Sequence, residues 1–166
     1  MITDLLSLTE FIEQIATGTA GIVQFLALSN GEKAVDEISA FYNDTYAGTT
    51  AFFQIAEIGP KDNRAGLQQV TFYCSLTVAE KPDDVSARAG LATRDNTMKL
   101  LLSILGQLKI KAEESAETVE QEGEGYQFCV TPSERIFPIG MLANVSLEGY
   151  YVDLDITISA NHLLFP

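Results

Sequence analysis

Residues 84–112, DVSARAGLATRDNTMKLLLSILGQLKIKA, decide the architecture. Ala87, Leu91, Met98, Leu101, Leu102, Leu105 and Leu108 recur at gaps of three, four and seven, the spacing that lines one face of a helix. Arg88, Arg94, Lys99 and Lys109 fall largely off that stripe. Pro82, Asp83 and Asp84 suit the entrance, because carboxylates there meet the partial positive charge of a first helical turn. Gly90 and Gly106 weaken the helix by about 1 kcal/mol each relative to alanine. No other stretch supplies as large a block of apolar surface, and strand-like segments flank it on both sides. The reading is one long helix lying on a sheet.

Working back from it, Val70, Phe72, Cys74, Leu76 and Val78 alternate with Thr71, Tyr73, Ser75 and Thr77, a period of two with one apolar face. Residues 50–58, TAFFQIAEI, read as a strand closed by Gly59 and Pro60, with a polar hairpin connection from Lys61 to Gly66. A further strand is expected over residues 22–29, stopped by Asn30 and Gly31. Ser7 and Glu10 fit a capping box at the start of a short helix whose stripe is Leu8, Phe11, Ile12 and Ile15. That helix is expected to end around Thr17 and Gly18. Val35, Ile38, Phe41 and Tyr42 give a second short helical stripe, after which turn-forming residues take over up to Thr50.

Beyond the long helix, Glu113, Glu114, Glu117, Glu120, Glu122 and Glu124 crowd together without a basic partner. The reading is a solvated loop or strand edge; a metal-collecting surface is the alternative. Tyr126 to Val130 forms a short strand, and Glu134 to Ile139 another, bent at Pro138. In the last strand Val152, Leu154, Ile156 and Ile158 face one way, and Tyr151, Asp153, Asp155 and Thr157 the other. The apolar tail HLLFP after Asn161 is expected to dock on a neighbour. The order α-β-α-β-β-α-β-β-β argues an α+β fold in a single domain, residues 1–166. Its sheet is mostly antiparallel, with one long and two short N-terminal helices packed on one face.

A chain of 166 residues, 46% hydrophobic and 20% charged, can build a core without metal or disulfide staples. Its formal charge of −13 disfavours a nucleic-acid backbone as partner. A basic leader and an uninterrupted apolar span are both lacking, so neither export nor membrane insertion is expected. For that reason Asn43 and Asn144, which match a glycosylation pattern, are read as chance. Cys74 and Cys129 sit in strand-like runs and read as reduced, half-buried thiols, with a cross-strand disulfide as the alternative.

Catalytic motifs are sparse. The single histidine, His162, lies in the tail, and with Cys74 and Cys129 it follows no zinc-ligand spacing. Gly18 to Gly21 precedes a strand, whereas phosphate-cradling loops open a helix. Asp153 and Asp155 project from one strand face about 7 Å apart, close enough for a metal or acid–base pair. An alternating strand with a wet face produces the same pattern. The expectation is therefore no enzyme, no cofactor and no metal. What remains is surface: Tyr150, Tyr151, Asp153 and Asp155 on the last strand, with Arg88 and Arg94 on the helix, form the candidate interface. The competing reading packs the tyrosines under a loop or helix.

Three pieces carry a resemblance: VTFYCSLTVAEKPDD (70–84), Arg94-Asp95 within the helix, and Asn144 to Gly149 leading into YYVDLDITI. Over roughly residues 68–158 the layout resembles small virion-associated proteins of Bacteroidetes prophages. It is also similar to the tail-terminator and neck architecture. The resemblance implies a non-enzymatic structural subunit that self-associates, as a homo-oligomer or ring, and meets tail or head-completion proteins. It implies a bacterial cytoplasmic location during assembly, then the virion. Two other readings stand beside it: an acidic inhibitor module binding a basic partner, and a metal-dependent enzyme using Asp153 and Asp155.

Overall fold

The computed structural model describes residues 2, 4–29, 32–42, 48–62, 68–83, 86–122, 128–139 and 146–159. Along the chain run α1 (Leu5–Gly18), β1 (Gln24–Leu28), α2 (Glu32–Tyr42), β2 (Thr50–Asp62), β3 (Gln68–Glu80), α3 (Ala87–Glu122), β4 (Phe128–Pro132), β5 (Phe137–Pro138) and β6 (Glu148–Ser159). This is the expected α+β order. The strands form one six-stranded mixed sheet in the order β1-β2-β3-β6-β4, with β5 also pairing β6. All pairs are antiparallel except β1 with β2, which run parallel from Gln24↔Thr50 because α2 carries the chain back between them. The centre is the β3–β6 pair, in register from Gln69↔Ser159 to Glu80↔Glu148.

Both central strands alternate as their sequences require. Phe72, Cys74, Leu76, Val78, Val152, Leu154, Ile156 and Ile158 are buried on one face, beneath Leu8 and Ile12 of α1 and Leu101, Ile104 and Leu108 of α3. Each such aliphatic side chain contributes about 1.5–3 kcal/mol on leaving water. Thr19 ties the two helices together: its hydroxyl donates to the Ile15 carbonyl at 2.9 Å and accepts from Gln107 Nε2 at 2.8 Å. Gly21, at φ 105°, then turns the chain towards β1 against Leu100 of α3, a conformation that favours glycine.

Several boundaries differ from the sequence reading. The cap of α1 is Asp4, not Ser7. The Ser7 N–H donates to Asp4 Oδ1 at 2.7 Å and the Asp4 N–H to Ser7 Oγ at 3.0 Å, so Ser7 is the far half of the box and Glu10 lies inside the helix. β2 does not close at Gly59 and Pro60 but continues to Asp62. Its outer side beyond Gln54 carries no described strand, an edge position where proline is tolerated.

α3 begins at Ala87, not Asp84, and runs through the acidic stretch to Glu122. The loop or strand expected there is helix. Glutamate propagates a helix well, and the basic partners lie one turn back: Lys109–Glu113 at 3.9 Å and Lys111–Glu114 at 2.7 Å. Ser115 fastens this extension to β4, its Oγ within 3.2 Å of both Phe128 N and O.

The buried side of α3 is also rotated from the expected stripe. Thr97, Leu101, Ile104 and Leu108 are buried, while Leu91 is 65% and Leu102 49% exposed. Residues 100–105 offer apolar side chains to more than one face, and contact with β3, β4, β6 and α1 selects among them. Thr97 is compatible with burial because its hydroxyl bonds the Thr93 and Arg94 carbonyls at 2.9 and 3.1 Å.

Nor do all helices share one face. Phe52 and Phe53 point to opposite sides of β2. Phe53 joins the α1/α3 core, whereas Phe52, Ala79 and Leu147 form a second cluster with Leu26, Leu28, Ile38 and Phe41. This cluster seats α2 on the other face, beside the parallel pair it connects. Glu37, in the middle of α2, ties the helix to the end of β1, accepting from the Ser29 hydroxyl at 2.6 Å and the Ser29 N–H at 2.8 Å, which hold its carboxyl below the usual range. Residues 63–67, Glu124, Tyr126, Asn43, Asn144, His162 and the HLLFP tail lie outside the described residues. No described helix is long and apolar enough to cross a membrane.

Candidate functional site

The second face of the sheet carries the side chains that alternate away from the main core. Cross-strand register sets Thr77 opposite Tyr151, Ser75 opposite Asp153, Tyr73 opposite Asp155 and Thr71 opposite Thr157. Tyr73 is 41% exposed, and Asp153 and Asp155 are exposed. The Thr71 and Thr157 hydroxyls share a hydrogen bond of 2.9 Å. Phe137 of β5 stacks on Tyr151 with ring centroids 5.3 Å apart at 24°.

Two hollows lie on this face. One, of about 280 Å³, is polar and includes Tyr73, Thr131, Asp155 and Thr157. The other, of about 250 Å³ beside α2, is apolar and includes Leu28, Ile38, Phe52, Ala79 and Leu147. Neither was evident in the sequence. The available signal was Phe52 and Ala79 occurring on strand faces that are otherwise polar.

The six candidate residues do not form one constellation. Tyr151, Asp153 and Asp155 share the second face, as the alternation requires. Tyr150 points the other way and packs against the main core. Arg94 is on that helix-covered side too, paired with Glu148 at 2.5 Å. The Glu148 hydrogen bond, and then its charge, raise the Arg94 pKa. Arg88 is exposed in the first turn of α3. Tyr150 and Tyr151 are adjacent in sequence, but neighbours in a strand face opposite sides.

Arg94 instead belongs to a polar clamp. Glu80 and Glu148 are direct cross-strand partners, an arrangement that is unfavourable for like charges. Each has its own donors: Arg94 serves Glu148, while Asn96 Nδ2 at 3.2 Å and the Thr49 hydroxyl at 2.8 Å serve Glu80. The clamp therefore fixes the N-terminal half of α3 over the end of the central strands. Nothing in the spacing of Glu80, Asn96 and Glu148 along the chain announces it.

At Gly149 of β6 there is no room for a side chain. A Cβ there would collide with the Val78 carbonyl oxygen and lie 2.8 Å from Ala79 Cα. Both cysteines are free, one buried and one exposed, and not both half-buried as expected. Cys74 lies in the main core on β3; β6 separates that strand from Cys129 on β4, so the strands are not neighbours. Burial pushes the Cys74 thiol up to about 12, with the Asp155 charge adding to the shift. Among the described residues, no three His, Cys, Asp or Glu side chains are grouped where a metal could sit. No family model matches this chain, and no curated protein matches it.

Proposed function

We propose that this protein is a non-enzymatic structural subunit acting through self-association, of the phage tail-terminator or neck type that its resemblance implies. The supporting observation is a pair of sheet edges that no other described strand covers. On one side β2 continues from Ile55 to Asp62 past the end of β1, and Ile58 in this overhang is an exposed large hydrophobic residue. On the other, β4 is outermost, with Cys129 and Thr131 exposed along it. Unpaired strand edges are templates for pairing with another chain. Two different edges on one subunit suit head-to-tail contacts, which close into a ring when the rotation permits. The second face, with Tyr151, Asp153 and Asp155, then stays available to a tail or head-completion partner.

Light scattering and negative-stain microscopy test this reading. The expected result is a ring-like oligomer, alone or with a tail-tube protein, and a strictly monomeric particle under both conditions overturns it. The alternative acidic-module reading draws on the exposed Glu113, Glu114 and Glu117 of α3. Two of these carboxylates already face Lys109 and Lys111, which weakens the charge offered to a basic partner.

A further inference from the structure

We propose that the hollow between α2 and the second face of the sheet is a binding site for a small, mostly apolar molecule, one or two fused rings in size, carrying a single hydrogen-bonding group. This inference is independent of self-association. The hollow measures about 250 Å³. A cavity of about 150 Å³ lined by aliphatic and aromatic groups accepts benzene, so this one suits a ring with a short substituent or a fused pair.

Its lining sets the chemical class. Leu28 of β1, Ile38 of α2, Phe52 of β2 and Leu147 surround a floor at Ala79 of β3. Phe52, Ala79 and Leu147 are buried and belong to a cluster separate from the main core, so the walls are built into the fold. No charged residue is among the described lining residues, which disfavours an ionic ligand. The polar hollow on the same face contrasts with it, offering threonines and Asp155.

The polar component comes from Thr77 and Tyr151, cross-strand partners that also line the hollow. Neither side-chain hydroxyl has a hydrogen-bond partner among the described residues. A concave, mostly apolar lining with two hydroxyl-bearing side chains matches the usual composition of a small-molecule site, where few polar groups orient an apolar body.

The test uses the full chain with indole, benzyl alcohol and toluene as probes, read by calorimetry and thermal shift. Saturable binding of at least one probe is expected, with a rise in Tm. Ala79→Leu fills the floor and abolishes binding while the protein stays folded by circular dichroism. Thr77→Val keeps the shape and removes one hydroxyl, so indole or benzyl alcohol weakens by about 3- to 10-fold while toluene is unchanged. Should Ala79→Leu fail to fold, Ile38→Phe narrows the hollow from the helix side and carries the same expectation. Absence of saturable binding of any probe to the folded wild type overturns the proposal. Undiminished binding to a folded, filled variant does so too. Light scattering runs alongside: if the probes dissociate an oligomer, a second copy occupies the hollow, and the small-molecule assignment falls.

Discussion

The two faces of the sheet are made from the same strands, yet they behave as different materials. On the face under α1 and α3, Leu76, Leu154, Ile156 and Ile158 are completely buried, in contact with helices from the start and the middle of the chain. On the other face, Tyr73, Asp153 and Asp155 meet solvent, and α2 covers only the end beside β1 and β2. The contrast separates what holds the fold from what it can offer a partner. Stability is concentrated on the first face, and the surface open to recognition on the second.

The sharpest way to break that comparison is truncation in the covered face. Ile104→Ala or Leu154→Ala should each cost about 2–5 kcal/mol in chemical denaturation, since both side chains are wholly buried. Next comes Gly149, where β6 has no room for a side chain. Gly149→Ala should cost about 1–3 kcal/mol by the same measurement, because backbone atoms of Val78 and Ala79 occupy the position of the added methyl.

Alkaline pH sharpens the comparison through the thiols. Cys74 titrates near 9.0 when unfolded and at about 12 when folded. Between those values the unfolded chain has released the proton and the folded one retains it, so stability falls as pH rises. Its contribution to the slope is at most about 1.4 kcal/mol per pH unit. Cys74→Val should flatten the denaturation midpoint across pH 9–11. In native protein near neutral pH, mass spectrometry after iodoacetamide treatment should find Cys129 modified and Cys74 intact.

A smaller effect is expected at the clamp. Arg94→Met leaves Glu148 without its donor and should lower Tm measurably. Lys99→Gln breaks an ion pair exposed at both ends, with Asp95, and should not. Smallest of all, Asp153→Asn on the open face should change stability by no more than about 0.5 kcal/mol. A large loss there would mean that the face supports the fold and does not simply present side chains.

Much of this was legible beforehand for definite reasons. The alternation in β3 and β6 identifies the buried face because a strand has only two sides. The stripe of α1, from Leu8 to Ile15, is equally unambiguous. The long helix was legible as an element but not in its orientation: Leu91 and Leu102 look like core in sequence and are exposed in the fold. Its acidic extension is not legible as helix, because a run of like charges suggests solvent more strongly than helix, although the compensating lysines lie one turn earlier. The candidate interface residues divide between the two faces. Tyr151, Asp153 and Asp155 share a face, whereas Tyr150 and Arg94 serve the packing of α3.

The sequence by itself determined the element order, the hydrophobic face of each central strand and the α+β class, because local periodicity depends only on neighbouring residues. Tertiary structure alone decided that β1 and β2 run parallel, that α2 crosses to the other side, and that Glu80 and Glu148 lie opposite one another. It also brought Leu28, Phe52, Ala79 and Leu147 around one hollow. These features join residues far apart along the chain. Their meeting depends on strand register and on the choice among competing apolar faces, and neither is encoded by the spacing of residues within a single element.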